Sequence, residues 1–448
     1  MKALVIGGGI TGLATAWFLA REGVQVRVLE SQSEVGGLSV ACKFPEFYWD
    51  RFYHCILPSD RHLLGLVNEI GLGNELRWVT TQQGFWIEGG RHPMNGPLDL
   101  LRFPALRLVD KVRLGAMAAL APRFGRTDTL DLETSAAWLQ RWCGQRGWQR
   151  FWRHLLRAKL GSACDWVSAR FIHATITRLI SARRATGDRE MFGYVRGGYR
   201  RILDELATRL HAAGVRFETS LRARRVVAAG DEVRVHADSD WISADFAVIT
   251  LPNPAVAGLV PQLDEAERQR LADTPYLGVA CTVVTGHAPL SANYILNLCD
   301  DSLRLTGIIE MTNVISRTEE TAGRTLVYLP RYAPVGDALF EMDDDSVAHE
   351  ALADLARVYP QTRDRWVESV RVHRAKFIQA IPRAGAPPIK PAIEAVPGRV
   401  YVANNAQLDT CVLNNNDCIG HVERAVREIL EQFRRSAATR QQPEVLVS

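Results

Sequence analysis

The stretch Ala3-Leu4-Val5-Ile6-Gly7-Gly8-Gly9-Ile10-Thr11-Gly12-Leu13 decides the fold of this chain. An apolar run of strand type breaks at three glycines, and a helix of small and apolar residues follows it. A second strand, 24–29, ends on Glu30. A strand, a glycine-rich turn, a helix and a second strand with a terminal acid are the parts of a dinucleotide-binding unit.

Each glycine of the G-x-G-x-x-G pattern has its own physical reason. Gly7 permits the tight turn, Gly9 lets the backbone approach a diphosphate, and Gly12 lets the helix pack closely on the strand. The helix begins at Ile10 and Thr11, where free N–H groups and a partial positive charge would face the phosphates. A tight turn that binds no ligand is the alternative explanation.

The residues after the second strand favour FAD. Glu30 would accept hydrogen bonds from ribose hydroxyls, and its charge argues against NADP, whose additional phosphate it would repel. The chain continues from Ser31 to a Gly-Gly pair and the two residues after it, which are Gly36, Gly37, Leu38 and Ser39. Such a pair lets the chain fold back over the cofactor diphosphate, which favours FAD over NAD.

Length and composition describe an ordinary globular protein. The 448 residues predict two or three subdomains, and 47% hydrophobic and 23% charged residues are typical of soluble proteins. The eight cysteines are scattered without a C-x-x-C pair or zinc-ligand spacing, which predicts free thiols, no metal and a reducing cytoplasm. The N-terminus does not resemble a signal peptide, and no apolar run reaches the length of a membrane span.

Positive charge is concentrated in one part of the chain. The net charge is only +4, but residues 100–210 contain 21 Lys or Arg and 9 Asp or Glu. This region would attract an anionic substrate or an anionic membrane surface. The alternative is an arginine-rich helical face whose acidic partners lie elsewhere in the fold. No nucleic-acid-binding motif accompanies the charge, so nucleic acid is not an expected partner.

Taken together, the Gly-rich turn, Glu30 and the Gly36-Gly37 pair resemble the two-domain FAD-dependent oxidoreductases of the amine oxidase, protoporphyrinogen oxidase and phytoene desaturase type. UDP-galactopyranose mutase is a more distant relative of that group. The resemblance implies a Rossmann-type α/β domain that binds FAD, and a discontinuous substrate domain of helices and a mostly antiparallel sheet. Many members carry an arginine beside the Gly-Gly pair, where this chain has Val35 and Leu38.

The resemblance implies that the chain passes between the two domains several times. The expected order is FAD-binding 1–90, helical substrate subdomain 91–190, FAD-binding 191–260, substrate sheet 261–385, FAD-binding 386–435 and a disordered tail 436–448. Five tryptophans in the helical part form either a wall for substrate stacking or helix-packing core; they are Trp138, Trp142, Trp148, Trp152 and Trp166.

Further cofactor contacts are implied by the same resemblance. The backbone around Val226 and Val227 would pair with the adenine. The C-terminal motif would include Asn405, with Asn404-Asn405 standing where the family normally has Gly-Asp or Gly-Glu. A helix that begins near Asp417, Cys418 and Ile419 would direct its positive end at the flavin.

Three side chains are the expected catalytic residues. Tyr53 and His54 lie in a segment that resembles the one passing the reactive edge of the flavin, and a neutral His54 could accept a proton or simply hydrogen-bond in a buried strand. Lys376 resembles, by position, the lysine that holds a water against flavin N5 in several amine oxidases. A surface lysine on a strand is the alternative.

Three functions are compatible with this sequence. The first is an FAD-dependent oxidase or dehydrogenase that removes hydride from a C–N or C–C centre of a small biosynthetic substrate, which would be anionic if the basic region binds it. The second is a redox-neutral isomerase of the mutase type, and the third is an FAD-bound scaffold without catalysis. The substrate, the electron acceptor, the oligomeric state and any peripheral contact with a membrane stay open.

Overall fold

The chain folds around two sheets, and the computed structural model describes residues 1–120, 123, 127–185, 190–363 and 365–441. The strands are β1 Lys2–Ile6, β2 Gln25–Leu29, β3 Ala41–Lys43, β4 Tyr48–Asp50, β5 Leu76–Thr80, β6 Gln82–Ile87, β7 Gly90–Pro93, β8 Met191–Val195, β9 Arg216–Glu218, β10 Ala223–Ala229, β11 Glu232–Ala237, β12 Asp240–Ala244, β13 Phe246–Ile249, β14 Tyr276–Gly286, β15 Asn293–Leu298, β16 Gly307–Glu310, β17 Thr325–Pro334, β18 Val367–Ala380, β19 Glu394–Val396 and β20 Val400–Val402.

The described helices are distributed along the whole chain. They are α1 Ile10–Arg21, α2 Arg61–Glu69, α3 Pro97–Arg102, α4 Leu108–Leu120, α5 Thr127–Leu132, α6 Ser135–Gly147, α7 Arg153–Leu160, α8 Ala169–Ala185, α9 Gly198–Ala212, α10 Asn253–Leu259, α11 Glu265–Ala272, α12 Arg317–Glu320, α13 Asp344–Val358 and α14 Asn415–Gln441. Among the described residues no helix combines the length and the apolarity that crossing a bilayer requires.

The first sheet has the strand order β19-β20-β13-β1-β2-β9, and all its neighbours except β19 and β20 run parallel. Its strands read as apolar runs because both faces are covered. Helices α1, α2, α9 and α14 pack on one face. The small sheet β10-β11-β12 and helices α10 and α11 cover the other. The predicted Rossmann-type α/β domain is therefore present.

The second sheet has the order β18-β14-β17-β16-β15-β6-β7 and is antiparallel except for the pair β6 and β15. One face packs on α13. The other face meets the segment 42–55. Strands β6 and β7 belong to this sheet, so the substrate domain includes residues 82–90, which we expected in the first FAD-binding segment.

Helices α4 to α8 form the predicted helical subdomain, and their core contains the five tryptophans. Trp138 is buried there, and the other four pack around the same core. The tryptophans are thus helix-packing residues rather than a separate wall. Apolar positions at helical spacing predict a helix over 112–124; the structure has α4, which ends at Leu120, and residues 121, 122 and 124 lie outside the described ranges.

Two local predictions differ from the structure. The aromatic alternation over 47–57 predicts one strand, but only Tyr48–Asp50 is a strand and the chain after it is irregular up to a bridge at Ile56. The hydroxyl of Tyr328 donates to the backbone oxygen of Asp50 at 2.5 Å. Contacts with distant residues, rather than hydrogen bonds to a neighbouring strand, therefore hold the chain after β4. Helix α14 continues to Gln441, inside the segment predicted to be a disordered tail; residues 442–448 are not described.

Candidate functional site

The glycine loop between β1 and α1 shows which glycines the protein itself requires. Gly7 has φ +108°, and a Cβ built on Gly12 would lie 1.8 Å from the carbonyl oxygen of Gly7. A Cβ on Gly9 would meet nothing closer than the Cα of Gly37, at 3.9 Å. Gly9 also has an ordinary φ of −71°. Packing therefore explains glycine at 7 and 12, whereas glycine at 9 leaves room for a ligand.

Glu30 lies directly behind this loop. One carboxylate oxygen accepts from the backbone N–H of Gly8 at 2.7 Å, and the other accepts from that of Gln32 at 2.8 Å and from the Ser31 hydroxyl at 3.3 Å. The carboxylate is thus fixed at the end of β2, where we expected it to meet a ribose. Gly8, which the sequence motif leaves unspecified, is required too, because its Cβ would lie 3.0 Å from the Glu30 side chain.

The Gly36-Gly37 pair folds back onto the loop, as we expected. The N–H of Gly36 donates to the carbonyl of Gly8 at 2.7 Å, and Gly36 forms a parallel bridge with Gly9. Both glycines have positive φ, +131° and +57°, and a Cβ on Gly37 would lie 3.0 Å from the Cα of Gly9. Leu38 and the buried Ser39 complete a short 3-10 turn over the loop.

The start of α14 meets the start of α1. The two helices pack together, and the hydroxyl of Thr11 hydrogen-bonds the thiol of Cys418. Burial raises the pKa of Cys418 to about 12, so it is a neutral thiol. Helix α1 has no side-chain cap and no acidic residue in its first turn. The backbone N–H groups of Ile10 and Thr11 are therefore directed at the space in front of the loop.

Of the remaining C-terminal residues, Asp417 and Ile419 have structural contacts, whereas Asn405 has a polar atom without a partner. Asp417 accepts from the Thr410 hydroxyl at 3.0 Å, and Ile419 is core. The Asn405 amide donates to the carbonyl of Ile378 at 2.7 Å, while its own carbonyl oxygen is buried without a partner in the structure. A buried acceptor without a donor is costly, so this oxygen fits a ligand that donates a hydrogen bond.

The free edge of β10 distinguishes the two residues that we expected to contact the adenine. The side chain of Gln262 hydrogen-bonds both backbone groups of Ala228 on β10. It accepts from the N–H at 2.6 Å and donates to the carbonyl oxygen at 3.1 Å. Alternate residues of a strand direct their backbone groups to the same side, so Val226 directs its own N–H and C=O outward from the same free edge. The groups of Val227 face β11 instead, which makes Val226 the expected adenine partner of the two.

Tyr53 and His54 lie on the segment after β4, where Tyr53 contacts the second sheet and His54 contacts the start of α9. The Tyr53 hydroxyl hydrogen-bonds that of Tyr332 at 2.8 Å, and the His54 ring lies 4.8 Å from the Tyr199 ring. Nδ1 of His54 is 3.7 Å from a carboxylate oxygen of Asp50. This buried nitrogen has no hydrogen-bond partner in the structure. The sequence motifs did not identify Asp50 or Tyr332, because both acquire their importance only from tertiary contact with this segment.

Burial disfavours the charged forms of Asp50 and of the tyrosines. It raises the pKa of Asp50, although His54 and the backbone N–H of Tyr199 act against this. Burial also raises the pKa of Tyr53 to about 12 and that of Tyr332 well above its usual value. Tyr53 and Tyr332 therefore present neutral hydroxyl groups at neutral pH.

Lys376 lies on the other face of this sheet. Its ammonium donates to Glu341 at 3.0 Å, with about half of the side chain exposed. Arg374, two residues earlier, pairs with Asp344 of α13, whereas His373 and Ala375 pair across β14 with Cys281 and Val279 on the face that meets Tyr53. The structure therefore does not bring Lys376 together with Tyr53 and His54, since neighbouring strand residues point to opposite faces, and its exposed ammonium fits the alternative of a surface lysine on a strand.

Among the described residues, five arginines of the basic region are paired with carboxylates from other parts of the fold. These pairs are Arg150 with Glu88, Arg157 with Asp301, Arg178 with Asp60, Arg196 with Glu319 and Arg201 with Glu75. Part of the excess charge is thus an ion-paired helical surface. No cluster of metal-ligating side chains occurs in the described ranges, and all eight cysteines are free.

The loop, the uncapped helix start, Glu30 and the orphaned oxygen of Asn405 together fit a flavin dinucleotide. A family model described as flavin containing amine oxidoreductase matches residues 10–412 of this chain. A Mycobacterium tuberculosis protein named as a flavin-containing monoamine oxidase, AofH, is 26% identical over 269 residues, which are 56% of this chain and 57% of that protein. Amine oxidase B of Sus scrofa is 31% identical over 102 residues, 22% of this chain and 20% of the pig protein.

The chain thus aligns with little more than half of AofH and with less of the pig enzyme. Among solved structures, cyclohexylamine oxidase from Brevibacterium oxydans has a TM-score of 0.75 at 15% identity, covering 97% of this chain and 99% of its own. Putrescine oxidase bound to putrescine has a TM-score of 0.73 at 16% identity, covering 96% and 99%. These likenesses show the fold. With the match over 10–412, the chain belongs to the family of flavin-containing amine oxidoreductases and takes a flavin cofactor.

Proposed function

We propose that this protein is an FAD-dependent oxidase or dehydrogenase that removes hydride from a C–N centre, or alternatively a C–C centre, of a small carbon-rich substrate. Family membership supports an oxidoreductase, and the amine oxidases among its relatives favour the C–N centre. FAD, when bound, supplies the two-electron acceptor. The chain's own residues bind it, orient the substrate and handle the proton.

The observation that carries this proposal is an aromatic wall that the segment before His54 forms with the second sheet. Tyr53, Tyr328 and Phe52 pack with the apolar face of the second sheet, and Tyr53 is joined to Tyr332 through their hydroxyls. Such a surface holds an apolar substrate carbon in place and excludes water from it. Because the phenols keep their protons, the wall adds no charge next to the reacting carbon.

His54 is the proposed proton acceptor, with Asp50 as its positioning residue. Asp50 is itself fixed, since its carboxylate accepts from the N–H of Tyr199 at 3.2 Å and its backbone oxygen accepts from Tyr328. A protonated imidazole would be stabilised by the carboxylate 3.7 Å away. His54 can therefore take a proton from the substrate without moving a charge into an apolar wall.

Anaerobic flavin reduction tests this proposal. The purified holoprotein is mixed with amines and with alcohols of matched shape, and flavin absorbance is followed by stopped flow. We expect reduction by an amine, and His54→Asn should slow it roughly tenfold or more while the flavin content is kept. Lys43→Met, an exposed cation on β3, is the matched control. Unchanged reduction in the His54 variant would remove His54 from the mechanism.

The same experiment separates the other two hypotheses. A mutase-type isomerase would turn over without an electron acceptor and only after reduction of the flavin. A scaffold would contain a flavin that dithionite reduces and that no small substrate reduces. We also propose a cytoplasmic location, which the eight free thiols support.

A further inference from the structure

One basic side chain of the helical subdomain lacks an acidic partner and lies inside the protein. Lys159 is in the last turn of α7, whose end is held against the second sheet by a hydrogen bond from the Thr306 hydroxyl to the carbonyl of Ala158. Its Nζ lies 3.3 Å from the centre of the Tyr332 ring. Within the described ranges the structure gives this ammonium no carboxylate and no hydrogen-bond acceptor.

The position of Lys159 joins it to the aromatic wall described above. Lys159 lies on the Tyr332 ring, and the hydroxyl of Tyr332 meets that of Tyr53, which precedes His54 in the chain. Lys159, Tyr332 and Tyr53 thus form one row of contacting side chains, and His54 is the next residue along the chain from Tyr53. A substrate whose reacting carbon lies beside His54 would extend along this row toward the ammonium.

The surroundings of Lys159 disfavour its charge. Its side chain is half-buried and packs on the Tyr332 ring. This burial lowers the pKa of Lys159 to about 7, with no neighbouring charge acting on it. An aromatic ring compensates a buried cation only in part, and a bound anion would compensate it fully. By contrast, Arg170 and Arg178 of the same region are paired with Asp131 and Asp60.

We propose that Lys159 is a substrate-binding residue and that the substrate carries a carboxylate which pairs with its ammonium group. This inference rests on the proposed function, because it places that substrate along the wall of the same site. A single cation in a neutral wall is balanced by one negative charge. A phosphate monoester, with close to two negative charges at neutral pH, would leave one of them buried and uncompensated.

Ligand binding to the holoprotein tests this inference without turnover. Benzoate, benzamide and phenyl phosphate are titrated separately at pH 6.5 (a value chosen to keep Lys159 mostly protonated), and binding is measured by calorimetry and by the change in flavin absorbance. Benzoate should bind wild type roughly tenfold or more tightly than benzamide, the range for a charge-assisted hydrogen bond. Phenyl phosphate should bind more weakly than benzoate.

Substitutions then assign the preference to this residue. Lys159→Met should lower benzoate affinity roughly tenfold or more and leave benzamide within a factor of about two. Lys159→Gln should behave in the same way, which keeps the test valid if the methionine variant does not fold. Lys111→Met removes a cation from α4 of the same subdomain and should bind both probes like wild type.

Two results would overturn the inference. One is a wild type that binds benzoate no better than benzamide, and the other is a Lys159 variant that keeps the preference for benzoate. Failure of the proposed function is a separate outcome. A holoprotein that prefers benzoate but is reduced by no amine would contradict the oxidase and leave the carboxylate site standing, whereas reduction by neutral amines without any preference for benzoate would do the reverse.

Discussion

Alanine substitutions at Gly12 and Gly9 separate the two reasons for glycine in the cofactor loop. A Cβ on Gly12 would lie 1.8 Å from the Gly7 oxygen, whereas an ordinary close C···O contact is about 3.3 Å, so α1 would have to move by about 1.5 Å. Such a shift exceeds typical overpacking, which costs about 1–3 kcal/mol. Alanine regains about 1 kcal/mol of helix propensity, which leaves a loss of roughly 2 kcal/mol or more.

Gly9→Ala should give the opposite result. A Cβ there meets no protein atom closer than 3.9 Å, and its φ of −71° suits any residue, so the free energy of unfolding of the apoprotein should change by less than about 0.5 kcal/mol. The added methyl group would instead occupy the space of the cofactor diphosphate and weaken FAD binding.

Both variants are unfolded as apoproteins in guanidinium chloride and then titrated with FAD by fluorescence quenching. Gly12→Ala should unfold at lower denaturant concentration, while Gly9→Ala should keep the wild-type midpoint and bind FAD at least tenfold more weakly, about 1.4 kcal/mol. Equal midpoints for the two apoproteins, or wild-type FAD affinity in Gly9→Ala, would refute the reasoning.

Three further predictions follow from contacts elsewhere in the molecule. Glu30→Gln removes the charge that accepts from Gly8 and Gln32, and FAD titration should show affinity reduced roughly tenfold or more; unchanged affinity would exclude a ribose contact. Lys376→Met removes only the exposed pair with Glu341, so stopped-flow flavin reduction should match wild type, and a tenfold loss would restore the catalytic assignment that the sequence suggested. Lys159→Met should stabilise the protein at pH 6 by roughly 1–4 kcal/mol in thermal or denaturant unfolding. Because the folded pKa of this lysine, about 7, is below its usual 10.5, the folded state disfavours the proton, and the gain should shrink as pH rises from 7 to 10.5; a gain independent of pH would contradict that origin.

The first forty residues predict their own structure well because their signals are local. The turn at Gly7, the helix start at Ile10 and the strand end at Glu30 depend on neighbours in sequence, and all three lie where the pattern places them. The Gly36-Gly37 pair is similar, since only positive φ lets the chain return to the loop. The glycine pattern therefore predicts the local fold, and with it the position where we expect the cofactor.

The positions of the candidate catalytic and substrate-binding side chains could not be predicted from sequence in the same way. Lys376 is on a strand whose register contains a bulge, and one residue decides which face of the sheet a side chain meets. Lys159 lies in an ordinary amphipathic helix, and nothing local distinguishes it from the neighbouring Arg157. Its contact is with Tyr332 on β17, more than 160 residues later. A contact between such distant residues produces no recognisable pattern in the helix sequence.

The parallel sheet has a consequence for the order of events during synthesis. Strand β1 lies between β2 and β13, with β20 beyond, and α14 packs against α1. A nascent chain whose synthesis has not yet reached α14 thus lacks the helix that packs on α1, and before residue 405 it also lacks the asparagine with the unpaired oxygen. Stable flavin incorporation should therefore wait until α14 has been synthesised.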